Sequence, residues 1–137
     1  MATLEPGLEG GAELVVAESH TAPEVGSGAI HVLATPVMIN LMEAAALDAV
    51  ERLLPPGRQS LGTRIDVSHV AATPVGMTVR ARAVVTRVEG NRITFRVTAH
   101  DALDLIGEGS HERIVVDVDR FDKRVRAKAA RIGDGAS

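Results

Sequence analysis

The residue whose chemistry stands out first is Glu43, a carboxylate in the middle of an apolar segment. Ile39 and Leu47 lie one helical turn away on either side, so a helix here surrounds Glu43 with hydrophobic neighbours. Burying even a neutral polar group without a partner costs about 2–7 kcal/mol, and a charge costs more. Glu43 therefore either faces a cavity, where it is a general base or nucleophile, or it has a structural partner such as a core histidine or a backbone amide.

His69 is the second candidate, because it falls on the apolar side of an alternating segment. The odd-numbered residues from Leu61 to His69 share one side of a predicted strand, the side expected to face the helix. We therefore expect His69 to meet Glu43. A lone histidine on such a face is more often a packed core residue, but a carboxylate and an imidazole together form a usable couple for proton transfer.

Thr35 precedes Pro36 at the predicted start of the same helix. A threonine hydroxyl in this place caps free backbone N–H groups, and proline is tolerated at the first helical position. A helix N-terminus also polarises a carbonyl oxygen, such as that of a thioester, and Val37 and Met38 keep N–H groups for this purpose. Thr35 and Glu43 are about 12 Å apart along the helix axis, so a site that uses both requires an extended substrate or a second subunit.

The hydropathy pattern predicts the elements that carry these residues. A helix is predicted from Val37 to Leu54, begun by Thr35-Pro36 and ended by Pro55-Pro56-Gly57. It is apolar on nearly every side and is therefore expected to be surrounded. A short strand over residues 13–17 precedes it, and four alternating strands follow over residues 61–70, 77–88, 92–99 and 105–118.

One helix beside an antiparallel sheet is typical of an α+β protein in which the sheet wraps the helix, the hotdog fold. We expect a single domain over residues 1–137, with flexible ends at residues 1–11 and 132–137. An edge strand of this sheet lacks a neighbour, and pairing with a second copy would cover it. A homodimer is therefore predicted, with further assembly left open.

The composition narrows the classes of function. The net charge is −3 and the chain contains neither Tyr nor Trp, which disfavours a nucleic-acid partner. The lack of cysteine excludes disulfides and thiolate chemistry, and the five histidines show no familiar ligand spacing, so no metal or other cofactor is expected. With neither an export signal nor a membrane-spanning segment in the sequence, we expect a cytoplasmic protein and no membrane partner.

Several motifs taken together resemble those of the fluoroacetyl-CoA thioesterase-like family of hotdog acyl-CoA thioesterases. The motifs are Thr35 followed by Asn40-Leu41-Met42-Glu43, Ser60-Leu61-Gly62-Thr63, His69-Val70-Ala71-Ala72-Thr73-Pro74, Ala99-His100-Asp101 and Gly109-Ser110-His111-Glu112-Arg113. The resemblance extends from about Thr35 to Val125. It implies hydrolysis of an acyl-CoA thioester, without a cofactor.

By this resemblance Thr35, Glu43 and His69 match the family's catalytic residues. Glu43 would attack the thioester carbonyl or activate water, and a carboxylate is able to do either. His69 would handle protons at the leaving sulfur, and Thr35 would orient the pair. Gly62 matches a glycine whose backbone lies against the acyl group, and Arg113 matches an arginine near the active site, so both are expected to bind substrate.

One stretch departs from the family's pattern. Where the fluoroacetyl-specific form carries phenylalanines that close over the acyl pocket, this sequence has Gly26-Ser27-Gly28-Ala29-Ile30-His31, without an aromatic lid. The departure predicts a small acyl group and no strong discrimination for fluorine. The basic run from Lys123 to Arg131 is interpreted as a solvated surface, with CoA phosphates as the alternative contact.

Two other functions stay open at this point. The first is a catalytically silent acyl-CoA-binding dimer, in which Glu43 and His69 form a buried hydrogen-bonded pair. The second is a hotdog enoyl-CoA hydratase, which would carry an aspartate and a histidine on one helix. The absence of histidine from the predicted helix counts against the hydratase.

Overall fold

The computed structural model describes residues 3–133, which form one antiparallel sheet and three α-helices. The strands are β1 (Glu9–Val15), β2 (Arg58–His69), β3 (Thr78–Glu89), β4 (Arg92–His100) and β5 (Leu105–Asp117). The helices are α1 (Ala22–Val25), α2 (Thr35–Val50) and α3 (Val118–Gly133), and single 3₁₀ turns cover Glu18–His20 and Glu51–Leu53.

The sheet has the strand order β1-β3-β4-β5-β2, and all neighbours are antiparallel. Helix α2 lies across it and packs mainly against β1 and β3. Gly10 permits the close approach of β1, because a Cβ atom at this position would lie 2.4 Å from the backbone nitrogen of Ala49. One long helix wrapped by a curved antiparallel sheet is the predicted hotdog architecture.

The core is aliphatic apart from one aromatic ring. Phe95 on β4 is fully buried together with Met38 and Met42 of α2. The remaining core side chains come mainly from α2 and from the inward faces of β3 and β4. Helix α2 is therefore covered on most of its circumference, as its sequence predicts, although Leu47 stays partly exposed.

Strand β2 is an edge strand, and a bulge interrupts its pairing with β5. Gly62 pairs with Arg113 and Arg64 pairs with Glu112, so Thr63 has no partner in the register. An extra residue of this kind reverses the alternation of side chains along a strand. The prediction that the odd-numbered residues from Leu61 to His69 share one face is therefore wrong for the part of the strand before the bulge.

Three further details differ from the predictions. The residue at the helix N-cap position is Ala34, and no side chain caps α2, so the predicted capping role of the Thr35 hydroxyl is wrong. Strand β1 begins at Glu9 rather than Glu13. The basic run predicted only as a surface segment lies on helix α3, which buries none of its residues.

The predicted flexibility of residues 1–11 and 132–137 stays a prediction, and parts of both segments lie outside the described residues. Among the helices within residues 3–133, none combines the length and apolar character needed to cross a bilayer. The same part of the chain contains no group of three or more His, Asp or Glu side chains arranged to hold a metal ion.

Candidate active site

Thr35 and His69 form the first group of the site. Thr35 is the first residue of α2 and His69 is the last residue of β2, and the Thr35 Oγ1 atom lies 2.7 Å from His69 Nδ1. The hydroxyl that does not cap the helix is therefore used to hold the imidazole. The other ring nitrogen, His69 Nε2, is buried and has no hydrogen-bond partner among the described residues.

The electrostatic environment of His69 favours the neutral ring. Burial lowers the pKa of His69 below its ordinary value, and the backbone of Ala71 offsets part of this shift. The ring is therefore predominantly neutral at pH 7. Since Nδ1 is occupied by Thr35, Nε2 is the ring nitrogen left to exchange a proton, and a bound molecule would have to displace the groups that bury it.

Glu43 and Arg113 form the second group. Arg113 Nη1 donates a hydrogen bond to Glu43 Oε2 at 3.2 Å. The Arg113 side chain is 6% exposed, whereas that of Glu43 is 38% exposed. The carboxylate is thus anchored on one side by a buried cation and open to solvent on the other, an arrangement suited to a base or nucleophile. Its partner is an arginine, not the core histidine or backbone amide that the sequence suggested.

The guanidinium of Arg113 is held by further hydrogen bonds. Its Nε donates to Ser60 Oγ at 2.8 Å, and its Nη2 donates to the Ser60 carbonyl oxygen at 3.0 Å. These bonds and the bond to Glu43 use all three nitrogens of the side chain. Arg113 was expected to bind substrate, and the structure adds a role that the sequence did not suggest, the support of Glu43.

His111 completes this group, and sequence reasoning missed it as a site residue. Its Nδ1 atom lies 2.8 Å from the Arg64 carbonyl oxygen, which only accepts, so Nδ1 carries the proton. Nε2 then accepts from Arg113 Nη1 at 3.2 Å. Burial and the Arg113 charge lower the pKa of His111, against the opposing effects of the Arg64 carbonyl and nearby carboxylates. The neutral ring stacks on Phe95, with 5.8 Å between centroids.

Gly62 leaves room for the Glu43 carboxylate. A Cβ atom at this position would lie 2.5 Å from Glu43 Oε2, 3.2 Å from His111 Cε1 and 3.4 Å from Arg113 Nη1. Any side chain would therefore displace the carboxylate. Gly62 thus lies beside Glu43 Oε2, the oxygen that Arg113 holds, and its expected contact with the acyl group stays a prediction.

The two groups are separate within one chain. The predicted contact between His69 and Glu43 is absent within one chain, since neither a hydrogen bond nor an ion pair links these two described residues. His69 lies at the start of α2 beside Thr35, whereas Glu43 lies two turns further along the helix. The bulge at Thr63 explains how β2 contributes a residue to each group. Gly62 and His69 are seven positions apart and would face opposite sides of a regular strand, but the extra residue turns them to the same face.

Solved structures with the same fold identify the class. A thioesterase superfamily member from Thermus thermophilus is 30% identical, with a TM-score of 0.91, over 98% of this chain and 99% of that one. A hot-dog-like protein from Thermanaerovibrio acidaminovorans is 28% identical, with a TM-score of 0.82, over 90% of this chain and 91% of that one. The fold is that of a hotdog thioesterase.

Sequence comparison gives the family. The family described as "Fluoroacetyl-CoA-specific thioesterase" matches residues 16–119. The fluoroacetyl-CoA thioesterase of Streptantibioticus cattleyicolor is 50% identical over 97 residues, which cover 71% of this chain and 70% of that protein. A solved fluoroacetyl-CoA thioesterase is 39% identical, with a TM-score of 0.87, over 93% of this chain and 98% of that one. The chain belongs to the fluoroacetyl-CoA-specific thioesterase family.

The predictions of a hotdog fold and of an acyl-CoA thioesterase are confirmed by these comparisons. The individual roles of Thr35, Glu43, His69, Gly62 and Arg113 stay predictions.

Proposed function

We propose that the chain hydrolyses small acyl-CoA thioesters to a free acid and CoA, with Thr35, Glu43 and His69 as the catalytic residues. The observation that carries this proposal is the Glu43 carboxylate, open to solvent on one side and hydrogen-bonded to the buried Arg113 on the other. Membership of the thioesterase family agrees with it.

In the proposed reaction a new C–O bond forms at the thioester carbonyl and the C–S bond breaks. Glu43 either removes a proton from the attacking water or attacks the carbonyl itself, giving an anhydride that water then hydrolyses. When Glu43 acts as a base, the proton that it takes from water passes through His69 Nε2 to the departing sulfur, so that CoA leaves as a thiol. When Glu43 attacks, CoA leaves as a thiolate and His69 transfers to its sulfur a proton that Nε2 takes up from solvent, and hydrolysis of the anhydride then releases the acid and regenerates the Glu43 carboxylate. Thr35 holds the ring through Nδ1, which leaves Nε2 free for this transfer. No cofactor is needed for these steps.

We infer further that a second subunit completes the site. Thr35 and Glu43 lie about 12 Å apart along the axis of α2, and β2 is an edge strand on which Leu61 and Ile65 remain more than one-third exposed. If β2 pairs antiparallel with the partner's β2 about a centre between Ile65 and Asp66, Gly62 lies opposite His69 of the partner subunit. Each Glu43 would then face the partner's imidazole.

The first test measures thiol release from a panel of short acyl-CoAs. We expect hydrolysis by the wild-type protein and a fall of at least about a hundredfold in Glu43→Gln and in His69→Ala. Thermal unfolding of both variants should match that of the wild type closely enough to exclude misfolding. Release that is absent in the wild type, or unchanged in both variants, would refute the proposal.

The second test distinguishes a shared site from a site within one chain. In a mixed dimer of Glu43→Gln with His69→Ala, one shared site keeps both residues, so the purified mixed dimer should show about half of wild-type activity. Two sites that each lie within one chain would both be inactive. Mixed dimers without activity, or a monomeric mass at micromolar concentration, would refute the shared site.

The silent-binder alternative receives no support from the site. It requires Glu43 and His69 to form a buried pair, but Glu43 pairs with Arg113 and remains partly exposed. The cytoplasmic location stays a prediction.

A further inference from the structure

Ser60 is the residue that fixes the orientation of Arg113. The Ser60 side chain and carbonyl accept hydrogen bonds from two different nitrogens of the guanidinium, at 2.8 Å and 3.0 Å. Both residues are about 5% exposed, so water does not replace these bonds easily. Two acceptors on one residue define both the position and the plane of the guanidinium.

Glu51 in turn fixes Ser60. Its carboxylate accepts the Ser60 backbone N–H at 2.9 Å and the Ser60 hydroxyl at 2.7 Å. Since the hydroxyl proton goes to Glu51, an oxygen lone pair of Ser60 is left for Arg113 Nε. Glu51 occupies the C-cap position of α2, and Glu43 lies two turns earlier on the same helix. Helix α2 therefore reaches Arg113 twice, directly through Glu43 and indirectly through Glu51 and Ser60.

The other end of this series of hydrogen bonds, at Glu43, is equally defined. Arg113 Nη1 lies 3.2 Å from Glu43 Oε2 and 3.2 Å from His111 Nε2, and both atoms are acceptors. The His111 ring is itself held by the Arg64 carbonyl and by Phe95. A small rotation of the guanidinium would therefore change its hydrogen bond to Glu43 directly.

We propose that Glu51 and Ser60 are positioning residues for the reaction: through Arg113 they hold the Glu43 carboxylate in its reactive place. The proposal rests on the proposed function of Glu43. Neither residue needs to touch the substrate. Loss of either should lower kcat by roughly ten- to a hundredfold, the effect expected when a reacting group moves by a fraction of an ångström to one ångström, with KM changed by less than about threefold.

The test uses Glu51→Gln and Ser60→Ala, with Asp48→Asn as the matched control. Glutamine keeps the shape of Glu51 and an oxygen for the Ser60 N–H, but its NH₂ group no longer accepts the hydroxyl proton. Asp48 also lies on α2 and accepts a backbone N–H from a strand, that of Gly11 at 3.0 Å, without any link to Arg113. We expect a lower kcat in the first two variants, partial recovery in Ser60→Thr, and wild-type kcat in Asp48→Asn.

A second measurement does not depend on turnover. The ¹⁵N NMR signals of Arg113 Nε and of the His111 ring report the hydrogen bonds directly, and both should shift in Glu51→Gln but not in Asp48→Asn. An unchanged kcat in Glu51→Gln and Ser60→Ala, an equal fall in Asp48→Asn, or unshifted NMR signals would overturn the inference. If the signals shift in Glu51→Gln as expected but the wild-type protein hydrolyses no acyl-CoA, the function assigned to Glu43 is refuted instead.

Discussion

Substitution of Gly62 by alanine tests whether the position of the Glu43 carboxylate limits the reaction. The added Cβ atom would lie 2.5 Å from Glu43 Oε2, whereas ordinary contacts begin at 3.4 Å, so the carboxylate must retreat by about 0.9 Å. Displacement of a reacting group by about 1 Å costs on the order of a hundredfold in rate. We therefore expect kcat to fall by roughly ten- to a hundredfold in Gly62→Ala.

The same substitution should leave the fold intact. The nearest atoms belong to the ends of side chains rather than to the backbone, and Gly62 is not among the glycines with positive φ. Alanine also restricts the unfolded chain, which offsets strain by about 0.4–1 kcal/mol. The free energy of unfolding, measured by urea denaturation, should thus stay within about 1 kcal/mol of the wild type.

Gly11→Ala is the matched control for this assay. Gly11 is also a strand glycine without positive φ, but a Cβ atom there meets its nearest neighbour at 3.4 Å, an ordinary contact. Thiol release and urea denaturation should both be close to wild type in this variant. A Gly62→Ala protein with unchanged kcat would refute the reasoning, and so would one whose lost activity is matched by lost stability.

Three further predictions follow from the site. Since burial lowers the pKa of His69, its neutral form should persist below the ordinary histidine value of about 6.5; kcat/KM should therefore fall only at lower pH, and an acid limb above that value would contradict the assignment. The pKa of His111 is lowered in the same way, so as pH falls the histidine in the unfolded chain takes up its proton before the folded one does. The free energy of unfolding should therefore decrease as pH falls below about 6.5, as urea titrations can measure. Arg113→Met leaves Ser60 and Glu43 without their donor and should cost about 2–3 kcal/mol in unfolding free energy together with most of kcat, whereas an unchanged urea midpoint would argue against a structural role.

Much of the fold was predictable because its signals are local. The apolar run before Pro55-Pro56-Gly57 predicts α2, and strict alternation predicts β3, β4 and β5 close to their observed bounds. The carboxylate of Glu43 was identifiable because a charge within an apolar helix requires an explanation. These features depend on neighbours within one turn or one strand.

The remaining features depend on contacts between distant segments. The pairing of Arg113 with Glu43 joins residues 70 positions apart, and the residue type of Arg113 alone does not distinguish it from an exposed strand arginine. One signal was available, since His111, Arg113 and Val115 alternate on the same face of β5 and Val115 is plainly a core residue. Local reasoning assigned the Thr35 hydroxyl to a helix cap, which was a sufficient local explanation, and only the family resemblance suggested that it orients other site residues, as its hydrogen bond to His69 does.

The bulge at Thr63 has a consequence for how this strand can change over time. It divides β2 into two parts whose side-chain alternation is offset by one residue. In the first part Gly62 faces the Glu43 carboxylate, and in the second part His69 faces Thr35. Deletion of a single residue between Gly62 and His69 would remove this offset, so that one of the two would face away from the site. No side chain with a chemical role would have been altered. The number of residues between Gly62 and His69 therefore matters to the site as much as the identities of these residues.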